Sequence, residues 1–284
     1  VKEYYVFKKY KLMLPKQTVL DNTVWLLAKI RKYGISICRN EVNRLERLYE
    51  ILFYELYQQN FDDNNFKKKY FHQTVYFDSW KLRGDDPYLY IDKLEEDVYS
   101  KVNLTYWERC RINEIPPIVK NVRNNIDVKF LYQQYHFNPK IKEQGKMIKQ
   151  LEISHDYILL VEEVQKSMMH AIASLNIGIE CNPTSNYLIG TFKRYAKHPI
   201  TKFFNLGLEM DHNVIKDCPQ LSVSINTDDQ GIFSTSLENE YALMAIALEK
   251  EKDEFGKPKY NSKMISEWLD KVRQMGIEQS FKES

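Results

Sequence analysis

Apolar residues recur every three or four positions over much of this chain, and that rhythm predicts most of its helices. From Lys16 to Tyr33, Val19, Leu20, Val24, Leu27 and Ile30 mark one face, and Gly34 ends the pattern. A second helix is expected from about Asn40, a fitting N-cap, with Val42, Leu45, Leu48, Leu52 and Leu56 on its apolar side. The two read as an antiparallel helical hairpin. Another helix is expected over 124–135 (Ile126, Phe130, Leu131), closed by Asn138-Pro139. Asp156 reads as the N-cap of a long helix carrying Ile158, Val161, Val164, Met168 and Ile172. Two more are expected near the end, over 236–250 with Leu237, Tyr241, Met244 and Leu248 inward, and over 263–275 with Ile265, Trp268, Leu269 and Val272 inward.

Strands are expected only in the last third, at 177–181 and 222–226. Helix then strand, repeated, is the order of a βα barrel, whose functional groups sit in the loops after each strand. Asn182 to Asn186 follow the first of these strands, and Asp228 and Asp229 follow the second. A bare carboxylate pair there would be costly to desolvate, so a cation, a hydrogen-bond cage or solvent is expected beside it. His198-Pro199 opens a short helix over 200–206 with Pro at its first position, and His198 reads as a helix anchor at least as well as a substrate contact. Residues 207–221 form a longer connection than usual and are expected at the surface.

Residues 60–125 read as helix and loop. Lys67 to Lys69 lie between Phe66 and Phe71, an interleaving seen in single-strand nucleic-acid binders, but a solvated helix face with buried aromatics explains it better. Arg83 stands in a Gly/Pro turn, where a loop salt bridge is favoured over a phosphate contact. His155 and His170 lie fifteen residues apart on one expected helix, roughly 20 Å at the helical rise, too far to share a metal.

Composition narrows the field. A net charge of +2 from 41 basic and 39 acidic residues gives no global attraction to polyanions, so nucleic acid is not indicated. Cys38, Cys110, Cys181 and Cys218 are scattered without Cys-x-x-Cys spacing, which suggests neither a structural zinc site nor a disulfide framework, and makes a reducing, cytoplasmic setting the default. No apolar run is long enough to span a bilayer.

Three segments, Cys181-Asn-Pro-Thr-Ser-Asn186, His198-Pro199 and Ser224-Ile-Asn-Thr-Asp-Asp229, in that order and followed by a helix, resemble the last third of the adenosine deaminase family. The resemblance implies an α/β fold, the C-terminal portion of a (β/α)8 TIM-type barrel, with the strands near 177–181 and 222–226 as its seventh and eighth. It implies zinc as cofactor, with Asp228 as the aspartate ligand and catalytic residue. Asp229 would hold the purine, with Ser185 and Asn186 also on the substrate side. Gln230 stands where many members have proline.

The family's His-x-His pair, its His-Ala-Gly-Glu segment and its third zinc histidine are absent from these 284 residues. The remaining zinc ligands are therefore expected outside this chain, which reads as the C-terminal part of a longer deaminase. Residues 1–155 are expected to be a large, mainly α-helical insertion and 156–284 the last βα units. Such an insertion resembles the enlarged bacterial deaminase-like proteins, including the deaminase of an antiviral system that forms large shells, so a homo-oligomer is expected. The implied reaction is hydrolytic deamination at C6 of adenosine or an adenine nucleotide, with Arg83, Lys193 and Arg194 as possible phosphate contacts. The isolated chain is expected to be inactive until joined by the missing N-terminal barrel segment. The alternative is a non-catalytic assembly or interaction module of a deaminase-like protein.

Overall fold

The computed structural model describes residues 10–85, 87, 117–190, 192 and 194–280. The described chain is rich in helix and poor in strand, and divides into two compact units, Val1–Val164 and Gln165–Ser284. Cys110, Lys193 and Pro116 lie outside the described residues.

In the first unit, strand β1 (Tyr10–Pro15) leads into α1 (Lys16–Lys32), which presents Val19, Leu20, Val24, Leu26, Leu27 and Ile30 to the interior. The next helix, α2 (Arg39–Leu56), begins one residue before Asn40. Its N-cap is Cys38 in the left-handed region (φ 53°) with no side-chain cap bond, so Asn40 lies inside the helix and does not cap it. Short helices α3 (Asn64–Lys68) and α4 (Gln73–Lys81) follow, capped by Asp63 and His72. Then come α5 (Pro117–Asn124), α6 (Ile126–Phe137) and α7 (Pro139–Lys146). Asn125 caps α6, and Asn138, expected only to close that helix, also caps α7 through the backbone N–H groups of Lys140 and Ile141.

Strand β2 (Ile148–Ile153) returns antiparallel to β1, with Tyr10 opposite Ile153 and Pro15 opposite Ile148. The helical periodicity predicts neither strand. Only Leu151 of β2 is buried, so the apolar/polar alternation that announces a half-buried strand is faint. The unit's interior is aromatic: Tyr49, Phe53, Tyr57, Phe61, Phe71 and Tyr76 pack with Leu20, Leu52, Leu56 and Leu131. Phe66 stacks on Phe130 at 3.7 Å, and Lys69 is paired with Asp127, so the basic-aromatic run at 66–71 is used in packing. Arg83 forms a two-pronged ion pair with Asp21 of α1, at 2.6 and 3.0 Å, and lies over the Tyr135 ring at 3.7 Å.

Helix α8 (His155–Ser174) starts with the Ser154 hydroxyl accepting the Tyr157 N–H; Asp156 lies in its first turn and is not the cap. The boundary between the units falls inside this helix.

In the second unit, β3 (Ile179–Cys181) precedes α9 (Pro183–Ile189), the short α10 (Ile200–Phe203) and α11 (His212–Asp217). Strand β4 (Val223–Ile225), buried at all three residues, then pairs parallel to β3, Ile179 with Val223 and Cys181 with Ile225. Pairing in parallel obliges the chain to cross over between the two strands, so both end at the same edge of the sheet. The chain ends through α12 (Gln230–Phe233), α13 (Leu237–Glu249) and α14 (Ser262–Glu278). Ile265, Trp268 and Val272 of α14 join Met244, Leu248, Val223 and Ile225 in one core, and the Trp268 indole N–H donates to the Phe204 carbonyl at 3.1 Å. On helix α13, Met244 and Leu248 are buried and Tyr241 packs against the core as expected, but Leu237 is 45 % exposed and Glu240 is fully buried on the line of Met244 and Leu248.

Candidate active site

The parallel pairing of β3 and β4 brings the two loops singled out in the sequence to one end of the sheet. The backbone N–H of Asn226 donates to the carbonyl of Cys181 at 2.9 Å, so the chain leaves both strands at the same level. From there the Ser185 hydroxyl, in the first turn of α9, reaches the Asp228 carboxylate and donates to Oδ2 at 2.7 Å. Ser185 is buried and Asp228 exposed. The carboxylate is thus held on one oxygen and open to solvent on its other side, so it escapes the desolvation cost that a buried Asp pair would carry.

Asp228 has a left-handed backbone, φ 58°. Aspartate tolerates this region better than most residues, yet a non-glycine there is uncommon and tends to mark a turn or a functional position. Asp229 is exposed and points elsewhere: it is the N-cap of α12, its Oδ1 accepting the Ile232 N–H at 3.1 Å. Adjacent carboxylates therefore have separate jobs, and only Asp228 faces Ser185.

Behind Ser185 the loop is fixed by buried groups. Asn186 Oδ1 accepts the Asn182 N–H at 3.2 Å, and His198 Nε2 lies 2.8 Å from the same oxygen. Since His198 Nδ1 accepts the Ile200 N–H at 3.2 Å, the ring must be neutral with its proton on Nε2, donating to Asn186. Burial agrees, lowering the His198 pKa to about 4. His198 is accordingly a helix anchor, 2 % exposed, and Pro199 sits at the N-cap of α10, just before its first residue. Both Asn182 Oδ1 and Thr184 Oγ1 are buried without a hydrogen-bond partner among the described residues.

Glu240 is the residue that sequence reasoning missed. Its Oε2 accepts the backbone N–H of Thr184 at 2.9 Å and its Oε1 the Thr235 hydroxyl at 2.6 Å. A signal was present, since Glu240, Met244 and Leu248 follow at four-residue spacing on one line of the helix.

Of the possible phosphate contacts, Arg83 is tied to Asp21 in the first unit, and Arg194 pairs with Glu251 at 2.6 Å. Lys193 lies outside the described residues. A cavity of about 600 Å³ in the first unit, lined by Pro15, Gln17, Tyr135, Ile141, Lys142 and Lys146 among others, includes none of the predicted site residues.

The region that holds these segments has relatives among known proteins. A family model described as adenosine deaminase matches residues 151–283. Over those residues the chain is similar to the adenosine deaminase family. The chain is 28 % identical over 112 residues to an adenosine deaminase of Plasmodium gallinaceum, covering 39 % of this chain and 26 % of the relative. It is 25 % identical over 122 residues to the adenosine deaminase of Bos taurus, covering 43 % and 29 %. With that of Shewanella loihica it shares 31 % identity over 74 residues, 26 % and 18 %. The matched region spans less than a third of each relative's length.

Members of this family are generally zinc-dependent. Among the described residues no group of three or more His, Cys, Asp and Glu side chains could hold a metal ion. Asp228 has the chemistry of one ligand, a solvent-facing carboxylate oxygen on an anchored side chain, but catalytic zinc takes about three protein ligands, so the described residues do not make a zinc site by themselves. No described helix is long and apolar enough to cross a membrane.

Proposed function

We propose that this chain carries the aspartate side of a zinc-dependent purine deaminase site, acting on adenosine or an adenine nucleotide and completed by ligands from outside these residues. In this reading residues 156–284 are the last βα units of a (β/α)8 barrel, and residues 1–155 are a helical insertion. The observation that supports it most is the hydrogen bond from Ser185 to Asp228 across the ends of two parallel strands, where barrel enzymes keep their functional groups.

In this reading each residue takes a role that its contacts support. Asp228 offers the metal its free oxygen while Ser185 holds the other, so the ligand is oriented before anything binds. Asp229, exposed and one residue on, holds the purine in this reading, its Oδ1 fixed by the Ile232 N–H. Ser185 and Asn186 serve the substrate side indirectly, since the Ser185 hydroxyl is committed to Asp228 and Asn186 Oδ1 to Asn182 and His198. Zinc, when bound, supplies a water ionised near neutral pH as the nucleophile.

The test is ammonia release from adenosine, AMP and ATP, with zinc quantified on the same sample. The expected result is neither zinc nor turnover for the 284 residues alone, and both when a barrel segment bearing His-x-His, His-Ala-Gly-Glu and the third histidine is supplied. Stoichiometric zinc and turnover by the chain alone would contradict the division of ligands. No turnover by the completed barrel would contradict the deaminase reading.

A further inference from the structure

We infer that Glu240 is a positioning residue for Asp228, a buried carboxylate clamp on the Ser185 turn that acts through hydrogen bonds to the turn's backbone and not through contact with substrate. The inference rests on Asp228 being the site residue proposed above.

A fully buried glutamate on a helix is expensive unless its oxygens are paired, and both are. Burying it also forgoes the apolar side chain that the line Glu240, Met244, Leu248 would otherwise offer the core. What is gained is a tie between three segments. Oε2 takes the N–H of Thr184, and Oε1 takes the hydroxyl of Thr235, in the loop between α12 and α13.

These two ties enclose the Asp228 contact. Thr184 precedes Ser185, so a carboxylate fixing the Thr184 amide also fixes the place from which the Ser185 hydroxyl reaches Asp228. The first N–H groups of α9 have no partner within the helix, and Glu240 supplies one across 56 residues. Thr235 lies on the other side, one residue beyond Ser234, whose backbone is left-handed like that of Asp228. The loop carrying both aspartates thus runs from Asn226, hydrogen-bonded to β3, to Thr235, hydrogen-bonded to Glu240. One side chain anchors both the donor's turn and the acceptor's loop. Its geometry explains why a helix face with apolar alternatives holds a carboxylate.

The test is residue-resolved amide hydrogen exchange on the 284-residue chain, comparing wild type with Glu240→Leu, Glu240→Gln and Thr235→Val. E240L removes both ties. Exchange is expected to accelerate about tenfold at Thr184 and over residues 226–234, while Trp268 and Val272 in α14 keep their protection. E240Q keeps both, its carbonyl accepting from Thr184 and its amide donating to Thr235 Oγ1, and is expected to restore the wild-type pattern to within about threefold. T235V removes one tie and no charge, giving an intermediate acceleration at 226–234. Unchanged exchange at Thr184 in E240L would overturn the inference, as would E240Q behaving like E240L. If E240L does not fold, E240Q and T235V decide, and a T235V indistinguishable from wild type would overturn it. Because the readout needs no turnover, failure of the deaminase reading and failure of this one remain distinguishable.

Discussion

Backbone and side chain make separate demands at Asp228, and each can be measured. The backbone is left-handed, which asparagine accepts as readily as aspartate, and the side chain is exposed apart from its bond to Ser185. D228N is therefore expected to change stability by less than about 0.5 kcal/mol in urea denaturation, since its Oδ1 can still accept from Ser185. D228V, β-branched and without an acceptor, is expected to cost about 2 kcal/mol. At His198 the controlling variable is pH. Its folded-state pKa of about 4 lies below the ordinary 6.5, so protons bind the unfolded chain preferentially. The stability this neutral ring contributes is complete above about pH 6.5 and is lost as pH falls toward 4, where Nδ1 would gain a proton against the Ile200 N–H. The full span amounts to roughly 3 kcal/mol. Urea midpoints between pH 7.5 and 5 should fall for wild type and fall less steeply for H198A, whose stability is already lower at pH 7.5. Parallel slopes would contradict the assignment.

Among the elements, the tie between α1 and the turn after α4 is an ion pair that also enters the packing of the first unit. Arg83 was expected in a loop salt bridge; it is paired with Asp21, only about a fifth of each side chain remains exposed, and it also reaches the Tyr76 hydroxyl at 3.0 Å. R83M is expected to cost about 3 kcal/mol because Asp21 is left charged and largely buried, and R83M/D21N should cost less than the sum of the singles. Additive effects would show the pair to be uncoupled. What was legible in the sequence follows from where information is local. Helices α1, α2, α13 and α14 carry their period in their own residues. Strand β1 does not, because its partner β2 lies at the other end of the unit and only one β2 residue is buried. Glu240 on the inward face of α13 is not legible, because a buried glutamate reads as a surface residue until its partners, Thr184 and Thr235, are known. The site loops were legible as motifs, but the contact joining them depends on strand pairing, which no local pattern records.

At the scale of the whole molecule, the second unit supplies one well-held carboxylate, and the relatives it matches are more than three times as long as the matched region. Activity in this account belongs to a completed barrel, and its dependence on this chain passes through Asp228. The most direct measurement is zinc content and ammonia release from adenosine by that barrel, assembled from this chain and a segment bearing the three upstream motifs, with Asp228 intact or replaced by alanine. The account predicts metal and turnover with Asp228. It predicts that D228A, folded to the same stability within about 1 kcal/mol, loses at least about a hundredfold in activity and binds zinc more weakly. A D228A barrel that keeps its zinc and its rate would contradict it.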